Sequence, residues 1–152
     1  MKTDTETKDS SLAKDKEETT TIKLGLDVHA RQITVCRQEE GLGVQPAQKM
    51  SWEKALGWIS KQQQQGAKVF SCYEAGPCGY GLHRRLEAMG GSNIVVAPQR
   101  WDSGGHRVKT DKRDARELVD RLDRYLRGNK KVFAVVRVPS PKEEERRCVV
   151  RQ

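Results

Sequence analysis

Hydrophobic and polar positions begin to alternate at residue 22. Ile22, Leu24 and Leu26 are each followed by a polar or small residue, and this period of two predicts a first strand over about residues 22–28. Similar apolar, β-branched stretches predict more strands and one last extended segment, over about residues 31–37, 44–50, 68–73, 93–97 and 132–138.

Three other stretches have helical spacing. Ser51 is a suitable N-cap for a helix over about residues 52–65, in which Trp52, Leu56 and Ile59 would form one apolar face. Two more helices are predicted around residues 82–89 and 110–126, each ended by a following glycine. The order is three strands, helix, strand, helix, strand, helix. It predicts an α/β fold with a mixed sheet of about five strands and helices on its faces.

The composition fits one domain with polar ends. A chain of 152 residues with 35% hydrophobic residues can bury one modest core. We expect residues 1–20 to be a disordered extension, because they are too polar to offset their ordering entropy. The folded domain would occupy residues 21–138. The chain has no apolar signal core and no membrane-length apolar run, so we expect a cytoplasmic protein.

The net charge indicates a class of partner, and the cysteine spacing indicates the state of the thiols. The net charge of +8 favours polyanions such as nucleic acid. The four cysteines form no CxxC pair and no His-containing metal pattern, so they predict ordinary reduced thiols: Cys36, Cys72, Cys78 and Cys148.

Four acids lie at predicted element ends. Asp27 lies on the first strand, Glu74 ends the fourth, and Asp111 and Asp114 are three residues apart near the start of the last long helix, where they would share a face. If the first and fourth strands are neighbours, all four can converge on Mg²⁺ or Mn²⁺, which prefer carboxylate and water ligands. Two such ions suit phosphodiester displacement.

Each acid also has a structural interpretation. Asp111 alone could be an N-cap, and Asp114 a first-turn acid favourable to the helix dipole. Glu74 alone could simply be solvated. Asp27 is harder to explain in this way, because a carboxylate in an apolar strand needs a partner or a metal.

Basic residues surround Asp111 and Asp114, which we call the second acidic pair, in the sequence. Between Pro98 and Lys131 there are eleven Lys or Arg and six acids. This excess suits a nucleic-acid backbone, although a solvated helix face with pairs such as Arg113 and Glu117 fits equally well. Trp101 could stack on a base or cover the core. The candidate nucleic-acid contacts are Arg100, Trp101, Arg107, Lys109, Lys112, Arg113 and Arg116.

Four motifs carry a family resemblance. They are LGLDVHA at 24–30, YEAGPCGYGL at 73–82, VVAPQRW at 95–101 and VKTDKRDARELVDRL at 108–122. In this order and spacing they resemble the N-terminal domain of the DEDD transposases of the IS-one-ten family, over about residues 22–139. The resemblance implies an RNase H-like, RuvC-like fold whose four acids correspond to Asp27, Glu74, Asp111 and Asp114.

The resemblance also implies a biological role. Family members are recombinases that move an insertion sequence, are guided by a structured bridge RNA and assemble as oligomers on DNA. Their mechanism also uses a serine in a separate C-terminal domain, beyond a helical coiled-coil segment. Residues 139–152 would be the start of that segment. We therefore assign no serine and expect a fragment or the product of a truncated gene.

Other interpretations stay open. The chain could be a non-catalytic nucleic-acid-binding fragment, in which case alanine at Asp27 or Asp111 would leave RNA affinity nearly unchanged or raised. A stand-alone Holliday-junction-resolvase-like nuclease would fit the same acids, but not the KTDKRDA segment as well. A sugar-kinase or actin-like ATPase needs a second subdomain and further phosphate loops, which 152 residues do not supply.

Overall fold

The predicted order of elements is confirmed by a computed structural model, which describes residues 19–98 and 111–150, with the side chains of residues 19–98 and 114–146. The elements are β1 (Thr21–Val28), β2 (Gln32–Glu39), β3 (Gln48–Ser51), α1 (Trp52–Gln64), β4 (Lys68–Glu74), α2 (Gly81–Ala88), β5 (Ser92–Val96), α3 (Asp111–Leu126), a 3-10 turn (Lys130–Val132) and α4 (Pro141–Val150).

The strands form one mixed sheet in the order β3-β2-β1-β4-β5. The first three strands pair antiparallel, whereas β1 with β4 and β4 with β5 pair parallel. The α/β class and the mixed five-stranded sheet expected of an RNase H-like fold are therefore confirmed.

Helices cover both faces of the sheet. On one face, α1 and α2 pack on alternate residues of β1, including Ile22, Leu24 and Leu26, each no more than 1% exposed. On the other face, α3 buries Ala115, Leu118, Val119 and Leu122 against the sheet. Because both faces are covered, the central strand β1 has apolar neighbours on either side.

The helix boundaries follow the predicted signals. The Oγ atom of Ser51 accepts a hydrogen bond from the backbone N–H of Lys54 at 3.1 Å, which confirms the N-cap of α1. Gly66 and Gly128, which follow α1 and α3, have φ values of +95° and +117°. Glycine adopts this left-handed region without steric cost, so these positions end the helices as expected.

One predicted strand and one predicted extended segment begin later in the chain than expected. β3 is shorter than predicted, because Pro46 has no N–H to donate to the ladder and Val44 forms only an isolated bridge with Gln38. Residues 132–138 begin in the 3-10 turn and then touch the edge of β5 through one bridge between Val135 and Val96. They do not form a sixth strand.

Two stretches for which the sequence makes predictions lie outside the described residues. They are residues 1–18, which make up most of the predicted disordered extension, and residues 99–110. None of the helices in the described part of the chain has the length and apolar character that a membrane span requires.

Candidate functional site

The carboxyl ends of β1 and β4 bring Asp27 and Glu74 to one end of the sheet. The parallel register pairs Leu26 with Tyr73, so the two acids are the next residues along neighbouring strands. Strand neighbours lie about 5 Å apart. The condition for Asp27 and Glu74 to lie near each other, that the first and fourth strands are neighbours, is therefore met.

Both acids belong to the face of the sheet that α3 covers. Gly25 and Cys72 are register partners, and both approach α3: a Cβ atom on Gly25 would meet Ala115, while Cys72 Sγ lies 3.5 Å from the carbonyl oxygen of Leu118. Side chains two residues apart on a strand point to the same face. Asp27 and Glu74 follow Gly25 and Cys72 by two residues and so share that face.

Helix α3 runs antiparallel to β1. Its end lies over the start of the strand, where Lys23 Nζ donates to Asp123, and its middle residue Val119 lies against Gly25. Residues earlier in the helix therefore lie further toward the carboxyl end of β1. Because α3 begins at Asp111, its first turn extends toward the level of Asp27.

The second acidic pair occupies this first turn. Asp114 is partly buried, and its Oδ1 atom is almost completely screened from solvent. Asp111 is the first residue of α3, although its side chain lies outside the described ones. The three-residue spacing places both acids on one helix face. The structure thus brings three of the predicted acids, and the backbone of the fourth, to one end of the sheet.

Asp27 also has a neighbour that the sequence did not predict. Its side chain is 19% exposed, and its Oδ2 atom lies 3.0 Å from Nε2 of His29 in the turn after β1. An imidazole this close can donate a hydrogen bond to the carboxylate and so orient it.

Magnesium or manganese binding stays a prediction. Among the described side chains, no group of three His, Cys, Asp or Glu is close enough together to hold a metal ion. The acids nevertheless supply the oxygen ligands that these ions prefer, and one carboxylate oxygen of Asp114 is buried in the first turn of α3. The residues present therefore fit Mg²⁺ in their chemistry.

Few of the predicted nucleic-acid contacts fall in the described region. Arg116 is exposed on α3. Lys112 and Arg113 belong to the first turn of α3, but their side chains are outside the described ones. The remaining four lie outside the described residues: Arg100, Trp101, Arg107 and Lys109.

The glycine-containing loop after β4 is held to the core. The hydroxyl of Tyr73 donates to the carbonyl oxygen of Gly79 at 3.2 Å and accepts from the backbone N–H of His83. Burial is the main reason that the pKa of Tyr73 rises to about 12, so this hydroxyl stays protonated at neutral pH. These hydrogen bonds tie Gly79 and the first turn of α2 to the end of β4.

A buried polar chain was missed by the sequence analysis. Ser71 Oγ donates to Asn93 Oδ1 at 2.7 Å, and Asn93 Nδ2 donates to Nδ1 of His83 at 2.8 Å. It joins β4, β5 and α2 on the face opposite the acids. The only available signal was a polar residue in each of two apolar strands.

Burial affects two of the described cysteine side chains. Among the described cysteines, Cys36, Cys72 and Cys78 are free. Burial raises the pKa of the Cys36 and Cys72 thiols, which keeps them protonated. This agrees with the prediction of ordinary reduced thiols at these positions.

The chain is similar in sequence to known proteins that are named as transposases. No family model matches it. Two Sinorhizobium fredii proteins, named "Putative transposase y4rJ" and "Putative transposase y4qE", are each 44% identical to it, over 81 and 84 residues. These matches cover 52% and 55% of this chain but 20% of each relative.

A third relative matches a longer stretch. The "Transposase for insertion sequence element IS1533" of Leptospira borgpetersenii is 30% identical over 119 residues, which are 75% of this chain and 34% of the relative. The chain thus spans between a fifth and about a third of the relatives' length. It is similar to one part of three proteins named as transposases.

Proposed function

We propose that this chain is a metal-dependent, DEDD nuclease-like domain of a transposase, acting on phosphodiester bonds of DNA. The observation that carries the proposal is the antiparallel passage of α3 over β1, which directs Asp111 and Asp114 toward the strand ends that bear Asp27 and Glu74. The similarity to proteins named as transposases supports the biological setting.

Mg²⁺ or Mn²⁺ would be held by Asp27, Glu74, Asp111 and Asp114. When bound, such ions supply polarisation of a water molecule and compensation of charge on the phosphodiester oxygens. The chain's own residues fix the carboxylates. Adjacent strands hold Asp27 and Glu74, and His29 lies 3.0 Å from Asp27, where it can orient its carboxylate.

The partners of this function would be DNA and a structured guide RNA. A net charge of +8 supports phosphate binding, and exposed Arg116 lies on the helix that bears the acids. The other proposed contacts to phosphates or bases are Arg100, Trp101, Arg107, Lys109, Lys112 and Arg113. A serine nucleophile and homo-oligomerisation would belong to a longer protein that includes this domain.

A non-catalytic nucleic-acid-binding domain is the second candidate. One observation favours it: the chain carries a net charge of +8, which suits phosphate binding without any metal. In this case the basic surface would bind RNA and DNA, and a further domain would act on the phosphodiester bonds.

Calorimetric titration with Mn²⁺ and Mg²⁺ tests the first candidate. The parent chain should bind, and Asp27→Asn and Asp114→Asn should each weaken binding about 10- to 100-fold or more, since even residues that only support a ligand have effects of that size. Asp120→Asn is the matched control, because Asp120 is an exposed acid of the same helix, paired with Arg124. It should bind like the parent.

The outcomes separate the two candidates. If the parent binds no metal, or if Asp120→Asn is as damaging as the other two changes, the acids do not form one centre. Retained affinity for branched DNA and for RNA in Asp27→Asn, without metal binding in any sample, would then support the binding domain.

A further inference from the structure

A hollow lies on the opposite face of the sheet from the acids. Val35 and Arg37 of β2, Met50 of β3, and Lys54 and Trp58 of α1 surround it, with Gln48 at its rim. We call this the Trp58 hollow. Cys36, which lies between Val35 and Arg37 in β2, packs toward α3. Because side chains alternate along a strand, Val35 and Arg37 lie on the opposite face, which α1 covers.

The floor of the Trp58 hollow is apolar and includes an aromatic ring. Val35 is 6% exposed, and Met50 and Trp58 are partly buried against the core. The hollow has a volume of about 100 Å³ and opens to solvent. A flat apolar group could therefore reach the tryptophan ring.

The rim carries positive charge. The guanidinium carbon of Arg37 lies 5.3 Å from the centroid of the Trp58 ring, a cation–π distance. Lys54 is exposed one turn before Trp58 on α1. None of the residues that the structure places around the hollow is acidic. The charge complements an anion that also carries a flat apolar part.

We propose that the Trp58 hollow binds an unpaired base of a single-stranded nucleic acid. Aromatic rings and guanidinium planes both stack on bases, and stacking on a ring is available to any base. Lys54 and Arg37 would meet the flanking phosphates, while the amide of Gln48 can both donate and accept at a base edge. A duplex hides its base faces and so does not fit.

This inference takes the class of partner from the proposed function but uses none of the acids. The two proposals can fail separately, because none of the residues around the hollow is a proposed metal ligand. Metal binding is tested with Asp27→Asn, and base binding is tested with Trp58→Leu and Arg37→Met.

The test is fluorescence anisotropy with labelled 12-nucleotide single-stranded RNA, single-stranded DNA and duplex DNA. Trp58→Leu should weaken single-strand binding by about 5- to 100-fold, from the loss of stacking on one base. Arg37→Met keeps the aliphatic stem and the tryptophan, and should also weaken binding. Lys61→Met, an exposed cation at the end of α1 outside the hollow, is the matched control.

Stronger effects of Arg37→Met than of Lys61→Met on single strands, with duplex affinity unaffected, would support the proposal. The better-bound of RNA and DNA would identify the source of the base. Equal effects of the two changes, or equal loss of duplex binding, would overturn it. Sedimentation that shows a dimer in the parent but not in Trp58→Leu would also overturn it, since a second copy would then occupy the hollow.

Discussion

Gly25 controls how closely α3 can approach the sheet. A Cβ atom at this position would lie 2.1 Å from the carbonyl oxygen of Ala115 and 2.6 Å from the backbone nitrogen of Val119. Both neighbours are helix backbone, which cannot rotate away as a flexible side chain can. The glycine two residues before Asp27 thus sets the height of the helix that carries the second acidic pair.

Gly25→Ala should therefore lower the free energy of unfolding by about 1–3 kcal/mol, the usual cost of overpacking. It should also weaken metal binding, because α3 must move away from Asp27. Urea denaturation measures the first effect. Gly57→Ala is the control: Gly57 is exposed within α1 with nothing near its missing Cβ, so alanine should stabilise by about 0.5–1 kcal/mol. A Gly25→Ala protein as stable as the parent would contradict the close approach.

His83 makes the stability of the domain depend on pH. Burial lowers the pKa of His83 below its ordinary value of 6.5, and Arg84 adds to this while Glu87 partly opposes it. The hydrogen bond from Asn93 also requires Nδ1 to be unprotonated. The unfolded chain therefore takes up a proton at a higher pH than the folded chain does.

The unfolding free energy should accordingly fall as the pH drops below about 6.5 and level off once the pH is below the folded pKa of His83. His83→Gln should remove this part of the pH dependence. The measurement is urea unfolding of both proteins between pH 8 and pH 5. If the two curves run parallel throughout this range, His83 does not cause the effect.

The roles of single residues could be predicted from the sequence only where they depend on residues nearby in the chain. Ser51 was predicted as a cap because capping depends on the next three residues, and Asp27 stood out as a charge in an apolar strand. The partners of Asn93 lie 22 and 10 residues away on another strand and a helix. No local rule connects them.

At the scale of elements, periodicity was most informative where the large apolar side chains of an element lie on one of its faces. The alternation in β1 and the spacing of Leu118 and Leu122 in α3 match residues that the structure buries. The third strand was predicted too long because Val44 follows the apolar pattern but Pro46 interrupts the ladder. Hydrogen bonding, not hydrophobicity, sets that boundary.

An ion pair holds the far end of α3 on the sheet. Lys23 and Asp123 are 14% and 16% exposed, and Arg127 also bonds Asp123. Burial raises the pKa of Asp123, but hydrogen bonds from Lys23 and Arg127 outweigh burial and hold the pKa below its ordinary value. This contact ties the end of α3 to the start of β1.

A double-mutant cycle of Lys23→Met and Asp123→Asn should give a coupling energy of about 1–3 kcal/mol in urea unfolding, as for a poorly solvated charged hydrogen bond. The control cycle uses Arg124 and Asp120 of the same helix, whose side chains are both more than half exposed. Their coupling should be about 0.3–0.5 kcal/mol. Equal coupling in both cycles would show that the Lys23 contact does not anchor α3.

At the scale of the whole molecule, strand pairing decides which acids become neighbours. The sequence predicted the elements and four acids, but which strands are neighbours depends on contacts between residues far apart in the chain. The register of β1 with β4 is what makes Asp27 and Glu74 adjacent. The direction of α3 then follows from Gly25 and Lys23, neither of which has a periodic signal that would reveal it.

The most direct test of the account is the anomalous difference map of a crystal of this chain grown or soaked with Mn²⁺. The account predicts a manganese peak at the carboxyl ends of β1 and β4, about 2.0–2.5 Å from an oxygen of Asp27 and from at least one of Glu74, Asp111 and Asp114. Manganese bound elsewhere, for example at Glu39 and Glu40 at the other end of the sheet, with none at Asp27, would contradict it.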